Sequence, residues 1–167
     1  MTAPIGRRIT TLVVALVVAA GASLPLAAED GRQWIFYAGS YNFDQEPTDI
    51  EAGLEVRIAG PWRGFSWAGG FAGTDQGSFW AYGGAQYAWH FSERLAIGPG
   101  VAVSLYEHGD GKDLGGLVEF RSNVEVSARV GSRSRLGLAV YHFSNAGLYE
   151  DNPGSNSLIV SWARSTN

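Results

Sequence analysis

Strict two-residue alternation commits much of this chain to strands. From 51 to 59, Ala52, Leu54, Val56 and Ile58 alternate with Glu51, Glu55 and Arg57. From 117 to 130, Phe120, Val124, Val126, Ala128 and Val130 alternate with Glu119, Arg121, Asn123, Glu125, Ser127 and Arg129. Successive strand side chains point to opposite faces, so each segment has an apolar face and a charged one. A third segment sets Leu95, Ile97, Val101, Val103 and Leu105 against Ala96, Gly98, Gly100, Ala102 and Ser104. Small residues and charges of both signs suit the interior of a narrow closed barrel whose aliphatic face meets lipid. A soluble β-sandwich or lipocalin-like barrel, with the aliphatic face turned inward, is the competing fold.

The N-terminus favours the membrane reading. Arg7 and Arg8 precede an apolar run from Ile9 to Leu24, which ends at Pro25-Leu26-Ala27-Ala28 before Glu29-Asp30. A basic start, an apolar core and a small-residue site make a secretory signal peptide over 1–28, with the barrel domain over 29–167. A retained membrane anchor is the other reading, but the run is short for a spanning helix. The mature chain then keeps 10 basic residues against 16 acidic ones. That balance, without a basic block, argues against a nucleic-acid partner. The chain contains no cysteine, so a disulfide framework and a thiolate metal site are both excluded.

Turn-like stretches divide the mature chain into eight segments of about ten residues, near 33–43, 51–59, 62–73, 78–91, 95–106, 116–130, 135–146 and 157–164. Aromatics occupy both parities of the first, third and fourth, so their faces are ambiguous. The expected fold is all-β, an eight-stranded antiparallel transmembrane β-barrel. Closure satisfies backbone groups that lipid cannot, and it favours an even strand number. Both termini then lie on the periplasmic side, and 44–50, 74–77, 107–115 and 147–156 become the outer connections. One departure is the end of the chain, where Trp162 stands in for the terminal aromatic common in bacterial barrels.

The candidate chemistry lies near the C-terminus. Leu136, Leu138 and Val140 share the lipid-facing parity of their strand, and His142 and Ser144 continue it. An i, i+2 pair stands side by side on one face, where an imidazole can act as general base for a hydroxyl. His and Ser have little structural use against hydrocarbon, because polar groups lose solvation there; the plainer reading is two side chains meeting water at headgroup level. Asn156 precedes Leu158, Val160 and Trp162 on their parity. If 147–155 closes a hairpin, Asn156 can lie across from His142 and Ser144, where it can accept the imidazole N–H. His90 and His108 lack such a partner.

The run His142-x-Ser144-Asn145-Ala146-Gly147, followed by Asn152-Pro153-Gly154, resembles the PagL-type lipid A 3-O-deacylases. These are eight-stranded outer-membrane barrels that hydrolyse the ester-linked acyl chain at position 3 of lipid A. The close resemblance covers about 15 residues, from His142 to Asn156. It implies Ser144 as nucleophile and His142 as general base, with Asn152 and the backbone N–H of Gly147 holding the oxyanion. It implies no metal or organic cofactor, a bacterial outer-membrane location, and lipid A of the outer leaflet as the partner; acyl selectivity and oligomeric state stay open. Asn152 also has a plain reading as a turn residue.

Asn156 departs from the pattern, which has a glutamate there. An uncharged Asn cannot stabilise an imidazolium as a carboxylate does; in serine proteases the equivalent Asp-to-Asn change lowers kcat by about 10⁴. Three readings follow. Asn156 orients His142 adequately, which is the favoured one. Glu150 or Asp151 comes in from the loop. Or the chain is a weak or inactive relative. On function, the alternatives to lipid A deacylation are a structural or adhesive barrel without catalysis, and an esterase for another acyl lipid.

Overall fold

The computed structural model describes residues 31–166. The expected signal peptide over 1–28 lies outside them. The described residues form strands and no helix: β1 (Arg32–Tyr41), β2 (Asp49–Ala59), β3 (Phe65–Thr74), β4 (Phe79–Tyr87), β5 (Trp89–His90), β6 (Leu95–Glu107), β7 (Val118–Arg129), β8 (Ser134–Ser144) and β9 (Ser155–Ser165). Each pairs antiparallel with its neighbour, and β1 pairs with β9 to close the sheet. β5 continues β4 as one stave. Both pair with β6 in a single register, with Gln86 opposite Gly100 and Trp89 opposite Ile97. The gap between them faces Gly98 and Pro99, and Pro99 has no N–H to give the ladder. The wall is therefore a closed eight-stranded antiparallel barrel.

The alternation resolves as an inside-out pattern. Glu51, Glu55, Arg57, Glu119, Arg121 and Glu125 are buried in the interior. Val101, Val103, Leu105, Val124, Val126, Leu138 and Val140 stand exposed on the outer surface. Apart from the two-residue β5, strands of nine to thirteen residues match the length that a tilted strand needs to cross a bilayer. Exposed aromatics gather at the end that carries the short turns, where Trp62, Trp67, Trp89 and Phe91 lie. Such belts sit at membrane–water interfaces.

Interior aromatics explain the ambiguity of the first and fourth strands, whereas Trp67 and Phe71 of β3 stand on the outer surface. Tyr37, Tyr41, Trp80, Tyr82, Tyr106, Tyr141 and Phe143 form one buried cluster, a filling that reaches beyond the small and charged residues expected from the sequence. Four of their hydroxyls are paired: Tyr37 meets Tyr82 at 3.2 Å, Tyr41 meets Tyr106 at 3.1 Å, and Tyr82 donates to Glu55 at 2.8 Å. Arg57 bonds Glu125 through two nitrogens at 3.0 and 2.8 Å. The Arg121 guanidinium lies 3.6 Å from the Tyr141 ring centroid and donates to Glu51 at 3.3 Å. Buried charges need such partners, since an uncompensated one is costly. Gly53 makes room for this layer, because a Cβ there would fall 2.4 Å from Tyr37 Cζ.

Most boundaries move by one to three residues from the expected ones. β3 begins at Phe65 rather than 62, because Pro61–Gly64 forms a tight turn with Phe65 N–H donating to Trp62 O at 3.0 Å and Gly64 at φ +84°. β8 ends at Ser144, where Asn145 and Ala146 turn away and Ala146 takes φ +54°. β9 starts at Ser155, so Asn156 lies within the strand instead of ahead of it. Trp162 is buried against Phe36, with ring centroids 6.0 Å apart, and β9 runs on to Ser165.

Candidate active site

β8 and β9 form a hairpin whose register sets Val140 opposite Leu158 and His142 opposite Asn156. Interior positions such as Ala139, Tyr141, Phe143, Ser155, Ser157 and Ile159 are buried. The opposite parity therefore carries His142, Ser144 and Asn156 outward, above Leu138, Val140, Leu158 and Val160. His142 is exposed, and Ser144 and Asn156 are half-buried.

His142 Nδ1 and Asn156 Oδ1 are 2.8 Å apart. On its far side, Asn156 Nδ2 donates to Asp44 Oδ2 at 2.6 Å. The two contacts fix proton positions. A carboxylate only accepts, so the Asn156 group facing it is the amide NH₂. The group facing the ring is then the carbonyl oxygen, which also only accepts, so Nδ1 carries a proton, and in the neutral ring the lone pair is on Nε2.

Asp44 arrives from the β1–β2 loop, 112 residues from Asn156 in sequence. Its place follows from barrel closure, since β1 is the other neighbour of β9 and Tyr41 sits opposite Ser157. Past that pair, Phe43 N–H donates to Asn156 O at 3.1 Å, which docks the loop on the backbone of the residue that Asp44 touches. Asn42 shapes the turn. It is buried, adopts φ +56°, and donates from Nδ2 to Pro47 O at 3.0 Å. Asn readily takes this left-handed conformation. Lys112, from the β6–β7 loop, donates to Asn42 Oδ1 at 3.0 Å and to Gln45 Oε1 at 2.7 Å. Burial holds the Lys112 ammonium below the usual lysine range, and the Asp44 carboxylate pulls it back up.

Ser144 stands two residues along β8 from His142, the shortest same-face spacing a strand offers. Among the described residues its hydroxyl has no hydrogen-bond partner, so the structure joins His142 to Asn156 and leaves Ser144 beside the pair rather than bonded to it. Ser122 faces His142 across the other strand boundary, on β7, and is also exposed.

The β8–β9 loop is organised by Asn145, which is fully buried. Its Nδ2 donates to Asp151 O at 2.7 Å and Leu114 O at 3.1 Å. Its backbone N–H donates to Asn152 Oδ1 at 3.0 Å, and its own Oδ1 accepts from Gly147 N–H at 3.0 Å. Both expected oxyanion residues are thus drawn around Asn145. Asn152 spends its carbonyl oxygen and keeps its amide donors, whereas the Gly147 N–H is occupied. Glu150 and Asp151 are exposed, and the carboxylate bonded to Asn156 belongs to Asp44 instead. Gly154 backs the histidine at φ +60°, and a Cβ there would meet Phe143 O at 3.0 Å and His142 Cε1 at 3.5 Å.

Asp44 did not emerge from the sequence pattern, and Asn145 and Gly154 stood in the motif without an assigned role. The eight-strand closure does put the first outer loop beside the start of the last strand. It does not select among the acids near that loop, Asp44, Glu46 and Asp49.

Comparisons with known proteins agree with this architecture. A solved structure described as the outer membrane enzyme PagL superposes with a TM-score of 0.67 at 16% identity, covering 79% of this chain and 98% of that one. Neisserial surface protein A gives a TM-score of 0.60 at 10% identity, covering 80% of this chain and 94% of that one. A de novo designed transmembrane β-barrel gives 0.54 at 12% identity, covering 83% and 98%. At such identities these likenesses speak to the fold alone. No curated protein matches the chain. The family model for lipid A 3-O-deacylase (PagL) matches residues 20–165. With that match spanning the whole barrel and the His-x-Ser motif on its outer face, the chain belongs to the lipid A 3-O-deacylase (PagL) family and is a β-barrel of the bacterial outer membrane.

Proposed function

We propose that this chain removes the ester-linked acyl chain at position 3 of lipid A, with Ser144 as nucleophile and His142 as general base. His142 Nε2 takes the Ser144 hydroxyl proton as Oγ bonds to the acyl carbonyl carbon. The tetrahedral intermediate collapses with cleavage of the bond to the sugar oxygen, and the imidazolium returns its proton to that oxygen. Water then attacks the acyl-enzyme with His142 again as base, releasing the fatty acid and restoring Ser144. The amide donors of Asn152 hold the oxyanion, and Gly147 joins them by exchanging its bond to Asn145. Preorganised donors of this kind contribute a few kcal/mol to the transition state.

The observation that carries the reading is the 2.8 Å contact between His142 Nδ1 and Asn156 Oδ1. Of the two neutral tautomers it favours the one with its lone pair on Nε2, the nitrogen a base needs for a hydroxyl along the strand. The surface below supports the substrate class. Leu138, Val140, Leu158 and Val160 are exposed on the same side, where an acyl chain lies without leaving the bilayer. An ester linkage at headgroup depth then meets the Ser–His pair.

Mass spectrometry of lipid A from cells with and without the chain tests this. Loss of one ester-linked hydroxyacyl chain is expected, abolished by Ser144→Ala and retained by Ser122→Ala. Normal deacylation by a folded Ser144→Ala barrel overturns the mechanism. Unchanged lipid A with altered phospholipid overturns the substrate.

A further inference from the structure

The carboxylate missing from position 156 is present in the fold, one side chain further away. We propose that Asp44 is a positioning residue for the hydrolysis: through Asn156 it holds the His142 tautomer that can act as base. The inference rests on the Ser144–His142 reading above and adds a member that no local motif contains.

An Asn beside an imidazole is an ambiguous partner. Its amide presents oxygen or NH₂ at nearly equal steric cost. With oxygen toward the ring, Nδ1 keeps its proton and Nε2 is basic. With NH₂ toward the ring, Nδ1 becomes the acceptor, the proton moves to Nε2, and the base faces the wrong way. A Glu or Asp partner has no such choice because both its oxygens accept. Asn156 needs something to choose for it, and Asp44 does. Its Oδ2 lies 2.6 Å from Asn156 Nδ2, and flipping the amide would set two acceptors against each other there.

The local structure is built to hold that acid in place. Phe43, the residue before it, is pinned to Asn156 O at 3.1 Å. Buried Asn42 is held by Lys112 and by the Pro47 carbonyl. Asp44 itself is exposed, and among the described residues its side chain has hydrogen-bonded contact with Asn156 and electrostatic contact with Lys112. Nothing else in the packing depends on its carboxylate. An imidazolium formed during the reaction also gains from a negative charge relayed through one polarised amide.

The test uses the full-length chain folded in detergent with lipid A as substrate. Asp44→Ala is expected to lower kcat by about tenfold to a hundredfold, the scale seen when a partner that orients a metal-bound histidine is lost. Asp44→Asn retains an acceptor but loses the charge, so it should fall between Asp44→Ala and the parent. Glu46→Ala, an exposed acid of the same loop, should match the parent. Nitrogen-15 NMR of the His142 ring should show the Nδ1–H form in the parent and a mixture of tautomers in Asp44→Ala. In an Asn156→Glu background, where a carboxylate meets the ring directly, the Asp44→Ala effect should shrink to within about twofold.

Two results overturn the proposal while sparing the Ser–His reading: a parental rate and tautomer in Asp44→Ala while Ser144→Ala is inactive, or an equal Asp44→Ala loss in both backgrounds. Activity in Ser144→Ala removes the underlying reading instead.

Discussion

His142 on β8 and Asn156 on β9 are directly opposed across an antiparallel ladder, and their side chains meet at 2.8 Å on the outer face of the barrel. Antiparallel partners hold their Cβ atoms about 4.5–5.5 Å apart, so the hairpin register itself brings a polar pair together above the aliphatic band. Removing the oxygen that faces Nδ1 should therefore cost activity and not folding. Asn156→Ala is expected to lower kcat by about 10²-fold or more, within the range attributed to a positioned acid–base group, and to leave the urea unfolding midpoint unchanged. Parental turnover in that variant would remove the orienting role.

Gly154 is confined by the ring it backs. At φ +60° a side chain is strained, and a Cβ would press on Phe143 O at 3.0 Å and His142 Cε1 at 3.5 Å. Gly154→Ala should destabilise by about 1 kcal/mol or somewhat more and lower kcat disproportionately, because the histidine must move. Comparing kcat with the unfolding midpoint of the same preparation separates the two effects.

Lys112 ties two outer loops together without approaching the reacting atoms. Its bonds to Asn42 and Gln45 span 2.7–3.0 Å. Lys112→Met should loosen the loop that carries Asp44. The expected loss in kcat is several-fold, smaller than that of Asp44→Ala, with the barrel still folded by heat-modifiability on gels. A loss exceeding that of Asp44→Ala would mean that Lys112 contacts substrate.

The interior ion pairs are a matter of stability. Arg121 and Glu51 have side chains 2% and 0% exposed. Arg121→Ala leaves Glu51 buried without its guanidinium, a loss of about 3–5 kcal/mol. The double variant Arg121→Met with Glu51→Gln should recover most of it, because the uncompensated charge is gone. Urea titration of folded barrel in detergent measures both.

The outer aliphatic face is the part that lipid solvates. Val140, 46% exposed, lies directly below His142 on β8. Val140→Arg should cost about 2–4 kcal/mol if its position is near the bilayer midplane, and less toward the interface. The measured cost thus reports the depth of the site. A cost near zero would put His142 and Ser144 well out of the membrane.

The architecture was legible because its signal is local and periodic. Glu51-to-Ile58 and Phe120-to-Val130 announce strands with one charged face. The signal peptide expected over 1–28 inverts the usual reading of that face, and the spacing of turns yields eight staves. His142 and Ser144 could be placed on one face for the same reason, since a strand's parity is a property of adjacent residues. The aromatics of β1, β3 and β4 were ambiguous because Tyr37, Trp80 and Tyr82 fill the interior while Trp67 and Phe79 meet lipid, and side-chain type does not distinguish the two environments.

What periodicity cannot carry is contact across the closing seam. Asp44 and Asn156 are 112 residues apart. They meet because β1 and β9 close the barrel in one register and because Asn42 bends the following loop back onto β9. Which acid of that loop arrives, and which way the Asn156 amide turns, depend on hydrogen bonds between segments distant in the chain. Asn145 is similar, a motif residue without a role in the sequence reading whose burial makes it the centre of its turn. Face and strand follow from neighbouring residues along the chain, whereas the polar network around His142 exists only once the sheet has closed on itself.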